Sequence, residues 1–262
     1  GTLIDVESGR LRVGNRTISD VHNDDDLLTV SQVIQKSSNV GSAKIALSME
    51  PQDLWQVLAT AGFGATPRSG FPGEASGRLR DFDRWKPIEQ ATVSYGHGIS
   101  VSLLQLARAY TVFATDGVLS PLTFVRRDAS APGQRVISAR TARLVRTMLE
   151  SVTEPGGTAM QARVTGYRVA GKTGTVHKLV NGAYAPDRYI SSFVGLAPTS
   201  NPRLVVAVMI DEPGGKKYYG GEVAAPVFRE VTAGALRVLG VPPDNIENIR
   251  RPLDVALPRE EV

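Results

Sequence analysis

The chain has 262 residues, 42% of them apolar and 21% charged, with 30 Lys and Arg against 26 Asp and Glu for a formal charge of +4. That apolar share and the mixing of both charge signs predict a folded chain and exclude a disordered one. The longest apolar run, Leu204 to Ile210, is far short of the ~20 residues that cross a bilayer, and the absence of cysteine excludes a disulfide framework or a thiolate zinc site. Basic residues occur only as short pairs at Arg126-Arg127, Lys216-Lys217 and Arg250-Arg251, so no nucleic-acid footprint is present.

Residues 3–22 read as short extended pieces broken by turns at Gly9 and Gly14-Asn15, followed by an acidic turn at Asn23-Asp24-Asp25-Asp26. From Leu28 the apolar residues take helical spacing, and Thr29 with Gln32 forms a candidate capping box. The segment Ser37-Ser38-Asn39-Val40-Gly41 interrupts that helix with poor helix formers. Helical spacing resumes at Ala43, Ala46 and Leu47, and Pro51 opens a further helix that stops at Gly62. Residues 64–80 form a long loop rich in Gly, Pro, Ser and Arg. Helices are predicted over 87–94, 102–115 and 139–152, the last with Leu144, Val145, Met148 and Leu149 on one face.

Strands are predicted over 167–178, 188–197 and 203–211, with Thr199-Ser200-Asn201-Pro202 turning the last two into a hairpin. Leu204 to Ile210 is apolar at every position, which predicts a central strand covered on both faces. A helix over 224–239 is expected to cover the sheet, and the tail over 246–262 is expected to be extended. This order predicts a mixed α/β (α+β) fold with an antiparallel sheet flanked by helices. The domain is read as 1–245.

Two short motifs carry the chemistry: Ser37-Ser38-Asn39 at a helix break, and Lys172-Thr173-Gly174-Thr175 on a strand. In this order they are the S-x-N and K-[ST]-G signatures of the penicillin-interacting serine enzymes. The resemblance extends to Gln35 through Gly41, Ser69-Gly70-Phe71-Pro72-Gly73-Glu74, Tyr95-Gly96-His97-Gly98, Ile210-Asp211-Glu212-Pro213, Tyr218-Tyr219-Gly220-Gly221 and Ala225-Pro226-Val227-Phe228. With these the chain resembles the class B penicillin-binding proteins over residues 1 to about 245, and more narrowly their septal D,D-transpeptidases.

The resemblance implies the penicillin-binding-protein transpeptidase fold shared with serine β-lactamases, and an enzyme that cross-links peptidoglycan stem peptides ending in D-Ala-D-Ala through a serine acyl-enzyme. It implies β-lactams as inhibitors, division proteins as partners, no cofactor, and a place at the periplasmic face of the bacterial inner membrane, with any anchor outside this sequence. Ser37 would pass a proton toward the leaving amine, and Lys172 would place positive charge beside it. Asn39 would bind the acyl-side amide. Thr173 and Thr175 would hydrogen-bond the substrate carboxylate, with Gly174 between them and the Thr175 N–H in the oxyanion hole. Tyr218 and Tyr219 would wall the groove. His97 and His177 stand where relatives often carry tyrosine and arginine. The three histidines have no metal-ligand spacing, so no metal is expected.

One departure matters. The family's first motif, S-x-x-K, supplies the nucleophilic serine, and no lysine of this chain has a serine three residues before it. The expectation is a C-terminal part of the domain, without the nucleophile helix and the first strands, inactive and not self-folding alone, with an open edge beside 203–211. The remaining prediction is spatial, that the broken helix and the K-T-G-T strand face one groove. Competing readings are a D,D-carboxypeptidase, which differs in its acceptor, and a non-catalytic module that binds stem peptide or β-lactam or scaffolds division. A class A β-lactamase is disfavoured because no Glu-x-x-Leu-Asn segment lies between the motifs, and a triad hydrolase because Thr92 to Gly96 lacks the first glycine of a nucleophile elbow.

Overall fold

A computed structural model of the chain describes residues 1–21, 26–126, 128 and 131–247. His22, most of the acidic turn at 23–26, Arg127, the Arg250-Arg251 pair and the tail from 248 lie outside the described residues. The chain forms two compact units, Gly1–Ser151 and Val152–Val262.

The first unit opens with β1 (Leu3–Asp5) and a hairpin of β2 (Arg10–Val13) and β3 (Arg16–Ser19). β4 (Leu27–Thr29) returns to pair antiparallel with β1. α1 (Val30–Lys36) starts at the predicted box: Gln32 N–H donates to Thr29 Oγ1 at 3.2 Å, and Thr29 N–H donates to Gln32 Oε1 at 2.9 Å. The predicted interruption is shorter than the run of poor helix formers suggests. Only Ser37 and Ser38 are non-helical, and α2 (Asn39–Leu47) already contains Asn39, Val40 and Gly41. Position 41 needs a glycine because α1 lies so close: a Cβ there would sit 2.6 and 2.9 Å from the two Val33 methyls.

α3 (Pro51–Thr60) follows, with Pro51 in its first turn and Gly62 beyond its end at φ +97°. α4 (Pro87–Val93) is tied to the end of α2 by Gln90, whose Nε2 donates to the Ala46 and Met49 carbonyls at 2.8 and 2.9 Å. Val6, Ile18, Leu28, Val33, Val40, Ala43 and Ala91 form one buried cluster. It joins the small strands to α1, α2 and α4, and each large aliphatic side chain buried there is worth ~1.5–3 kcal/mol.

The predicted loop over 64–80 is a loop, but a fixed one. Gln105, in α5 (Leu103–Ala114), is buried and donates from Nε2 to the Ala65 and Ser76 carbonyls, both at 2.8 Å. β5 (Val118–Leu119) and β6 (Gln134–Arg135) form a two-stranded piece, and α6 (Ala139–Glu150) completes the unit. Ala142 and Leu149 are the buried residues of α6, whereas Leu144, grouped by spacing on one face with Leu149, is 52% exposed.

The second unit is a three-stranded antiparallel sheet in the order β7 (Ala170–Val180), β8 (Ala183–Ala197), β9 (Leu204–Asp211). α7 (Gly220–Val223) and α8 (Ala225–Val238) pack on it. β7 ends two residues beyond the predicted strand and β8 begins five residues before its predicted start, because the two meet at a tight turn at Asn181 and Gly182, both at positive φ. The expectation for 203–211 divides. Its unpaired side is observed, since β9 is an edge of the sheet among the described residues. The doubly covered interior is not: no residue of β9 is fully buried, and Met209 is 48% exposed. An all-apolar run also suits an edge strand whose two faces are each only partly covered. The buried strand is β8, where Phe193, Leu196 and Ala197 are completely enclosed. Phe193 lies over the Gly171–Gly195 pair and meets Phe228 of α8 edge to face at 4.8 Å, so two glycines make room for an aromatic bolt.

Candidate active site

In the first unit the S-x-N segment is built by two helix ends meeting. Ser37 caps α1 in the left-handed conformation, φ 58° and ψ 44°, and is exposed. For a residue with a Cβ that conformation costs about 1 kcal/mol. Ser38, buried, caps α2: its Oγ accepts from Gly41 N–H at 2.8 Å and donates to Asp20 Oδ2 at 2.6 Å. The other oxygen of Asp20 accepts from Val40 N–H at 2.9 Å. Asn39 Nδ2 donates to the Ser19 carbonyl at 3.0 Å, which anchors the amide to the end of β3. One carboxylate therefore locks the turn from below and leaves Ser37 outward.

His97 stands edge-on to Tyr95 with ring centroids 5.5 Å apart. Burial, and then the charge of Asp20, push the Tyr95 phenol up from its ordinary value. Tyr95 thus stands against His97 and feels the charge of Asp20, the carboxylate that holds Ser38.

In the second unit Lys172, Thr173, Gly174 and Thr175 lie on β7, an edge strand among the described residues. Register places Lys172 and Gly174 opposite Val194 and Ser192, and Thr173 and Thr175 opposite Phe193 and Ser191. Strand alternation sends Lys172 and the two threonines off opposite sides of β7, but the long lysine side chain curls back along this edge, and its Nζ comes within 3.5 Å of Thr173 Oγ1. Lys172 Nζ donates to the Thr173 carbonyl at 3.2 Å. The residue as a whole is half-buried, but its ammonium lies deep among protein atoms, and that desolvation pushes it down to about 8. Near neutral pH it is still mostly a cation, close to its titration point.

Each threonine hydroxyl has a partner. Thr175 Oγ1 accepts from Gly220 N–H at 2.9 Å, and Thr173 Oγ1 is 2.9 Å from Thr158 Oγ1. Gly174, between them, faces Ser192 of β8. A Cβ there would strike Ser192 Oγ, so the missing side chain lets β8 pack close at this point.

Four rings form a row. His177 meets Tyr189 at 4.7 Å, Tyr189 stacks on Tyr218 at 4.1 Å and 16°, and Tyr218 meets Tyr219 at 4.6 Å. Ser191 Oγ donates to the Tyr218 carbonyl and ties this row to β8. His177 Nδ1 is 3.0 Å from the Ala185 carbonyl. At the same end of the sheet Arg188 and Lys178 hold the Glu212 carboxylate down at about 2.

Sequence reasoning missed Asp20, Thr158, Tyr189 and the amide of Gly220. An aspartate directly after a strand offers no signal for a partner 18 residues away. Tyr189 was within reach through the Asn181-Gly182 turn, the strongest short-range hairpin signal in the chain. Even so, a bulge between His177 and Leu179 shifts the register, so the turn alone would have paired His177 with the wrong residue. Among the described residues no group of three or more His, Asp or Glu side chains could hold a metal ion.

The description "Penicillin binding protein transpeptidase domain" fits residues 2–233 as a family match. A probable peptidoglycan D,D-transpeptidase PenA of Neisseria flavescens is 48% identical over 232 residues, covering 88% of this chain and 58% of that protein. The peptidoglycan D,D-transpeptidase FtsI of Escherichia coli K12 is 41% identical over 233 residues, 89% of this chain and 40% of its own length. The apo structure of the TP domain from Burkholderia pseudomallei penicillin-binding protein 3 superposes with a TM-score of 0.87 at 49% identity, over 93% of this chain and 74% of that one. The chain thus spans between 40% and 58% of these two curated relatives.

Proposed function

The chain belongs to the family of penicillin-binding-protein transpeptidase domains of class B, and from that premise we propose that it supplies two of the three catalytic motifs of a peptidoglycan D,D-transpeptidase. The first unit supplies Ser37 and Asn39, and the second supplies Lys172, Thr173 and Thr175. The observation that carries this reading is the S-x-N turn. An exposed serine held in left-handed backbone between two capped helices is local strain of the kind concentrated at functional sites.

The reaction needs a nucleophile that none of these 262 residues provides in S-x-x-K form. A serine so placed attacks the penultimate D-alanine carbonyl. The serine oxygen–carbon bond forms, the bond to the terminal D-alanine nitrogen breaks, and the proton reaches that nitrogen by way of Ser37. The amine of a second stem peptide then displaces the serine. Positioned proton transfer of the kind assigned to Ser37 contributes roughly 10²–10⁴-fold, and Lys172 supplies the positive charge that eases it. Thr173 and Thr175 hold the carboxylate, where charge-assisted bonds are strongest. The Thr175 N–H stabilises the oxyanion, worth about 3–4 kcal/mol in other acyl-transfer enzymes. His97, His177, Tyr218 and Tyr219, with Tyr189, line the approach for the stem peptide. Residues 1–245 act as part of one transpeptidase domain that a nucleophile-bearing segment completes, at the periplasmic face of the inner membrane, in septal wall synthesis with division proteins.

A fluorescent penicillin tests this. The natural protein that carries these residues should be labelled covalently, with loss of labelling in Ser37→Ala and Lys172→Ala, and residues 1–262 alone should stay unlabelled. Reversible binding without a covalent bond would instead mark a non-catalytic module. Product analysis with an acceptor amine separates cross-linking from carboxypeptidase hydrolysis.

A further inference from the structure

The two threonines of the K-T-G-T run are each approached by a polar group from the second unit itself. Gly220 N–H donates into Thr175 Oγ1 at 2.9 Å, and the Thr158 hydroxyl lies 2.9 Å from the Thr173 hydroxyl. Backbone packing enforces both contacts. A Cβ on Gly220 would overlap the Ser192 carbonyl oxygen and come within 2.6 Å of the Gly174 carbonyl, and one on Gly221 would overlap the Thr158 carbonyl. These are main-chain atoms of a sheet and of the segment before it, and they cannot swing aside. The glycine pair therefore lets α7 lie directly on β7 and clamps Thr158 beside it.

A hydroxyl has one proton and two lone pairs. When a lone pair is filled by a donor, the proton remains available for an acceptor elsewhere, and hydrogen bonds in such a chain strengthen one another. The Gly220 amide can only donate, so the Thr175 proton is directed away from it. The Thr158 hydroxyl can rotate to donate into Thr173, which frees the Thr173 proton in the same way.

We propose that Thr158 and the Gly220 amide are positioning groups that feed hydrogen bonds into the Thr173 and Thr175 hydroxyls from behind, so that each hydroxyl offers its own proton to the carboxylate of an acyl-D-alanine peptide or β-lactam. The inference rests on the transpeptidase reading and adds two groups that never touch the ligand.

The test is acylation of the natural protein by benzylpenicillin and by its methyl ester, which lacks the negative charge. Thr158→Val keeps the shape and removes the hydroxyl. It should lower the second-order acylation rate for the acid by about 5- to 20-fold, the loss of one hydrogen bond acting on a charged group. The rate for the ester should stay within about twofold, with the melting temperature unchanged and Thr158→Ser restoring the acid rate. Gly220→Ala keeps the N–H, but its methyl pushes α7 off β7 and withdraws the amide from Thr175, so it should show the same selective loss, larger in size. An unchanged acid rate in Thr158→Val, or equal losses for acid and ester, would overturn the inference while leaving the transpeptidase reading intact. Wild-type protein that neither ligand acylates would overturn that reading, and this inference with it.

Discussion

The two units hold their polar residues by opposite means. In the first, Ser37, Ser38 and Asn39 are set by a capping box at Thr29, a left-handed cap at Ser37 and an N-cap from Ser38 to Gly41, all closing within a few residues, with Asp20 and the Ser19 carbonyl as distant supports from the end of β3. In the second, Lys172, Thr173 and Thr175 depend on strand register, on Phe193 and Phe228 behind them, and on α7 brought back from 45 residues away in the Thr175–Gly220 bond. A local device fails residue by residue. A long-range one fails together, because its parts share one sheet.

That contrast can be broken first at Phe193. Phe193→Ala removes a completely enclosed ring and should cost about 3–5 kcal/mol in denaturant unfolding. The second unit should lose the aromatic row and the Thr175 contact at once, and retention of both would refute the shared dependence. Lys172 gives the next effect. Its folded value near 8 lies below its ordinary 10.5, so between pH 8 and 10.5 the unfolded chain binds more protons and stability rises with pH. Below pH 8 the buried cation opposes folding by up to about 3 kcal/mol. The melting temperature of Lys172→Met relative to wild type should therefore be highest at pH 7 and fall steadily toward pH 10.5.

Ser37→Ala should lower penicillin acylation about 100-fold or more while leaving the melting temperature within a few degrees, as expected for a proton-transfer group. Gly41→Ala forces a methyl against Val33 and should cost about 1–3 kcal/mol, sharpening the claim that helix packing seats the turn. The smallest effect belongs to Ser37→Gly, which relieves the left-handed strain. Thermal denaturation should show a gain of up to about 1 kcal/mol, coupled to lost acylation.

Legibility followed the same division. The capping box at Thr29, the stop at Gly62 and the hairpin turn at 199–202 were readable because each is a short-range pattern with one backbone solution. The limits of the helix break were misjudged because Gly41 counts against a helix by propensity, yet here permits the approach of Val33. Leu204 to Ile210 was read as an interior strand because apolar content reports how much surface a strand hides, not which neighbours hide it. Of the site, both motifs were visible as words, while the groups that orient them were not.

By itself the sequence determined the order of the elements, the S-x-N and K-T-G-T motifs, and the family that joins them. Those depend on residue types at short spacing, where few conformations compete. Only the tertiary structure decided that Asp20 locks Ser38, that a bulge puts Tyr189 opposite His177, and that Gly220 and Thr158 back the two threonines. Each of these contacts joins residues between 12 and 45 positions apart. Such contacts form only after loop closure has been met by the packing of the whole unit, and no local pattern records that sum.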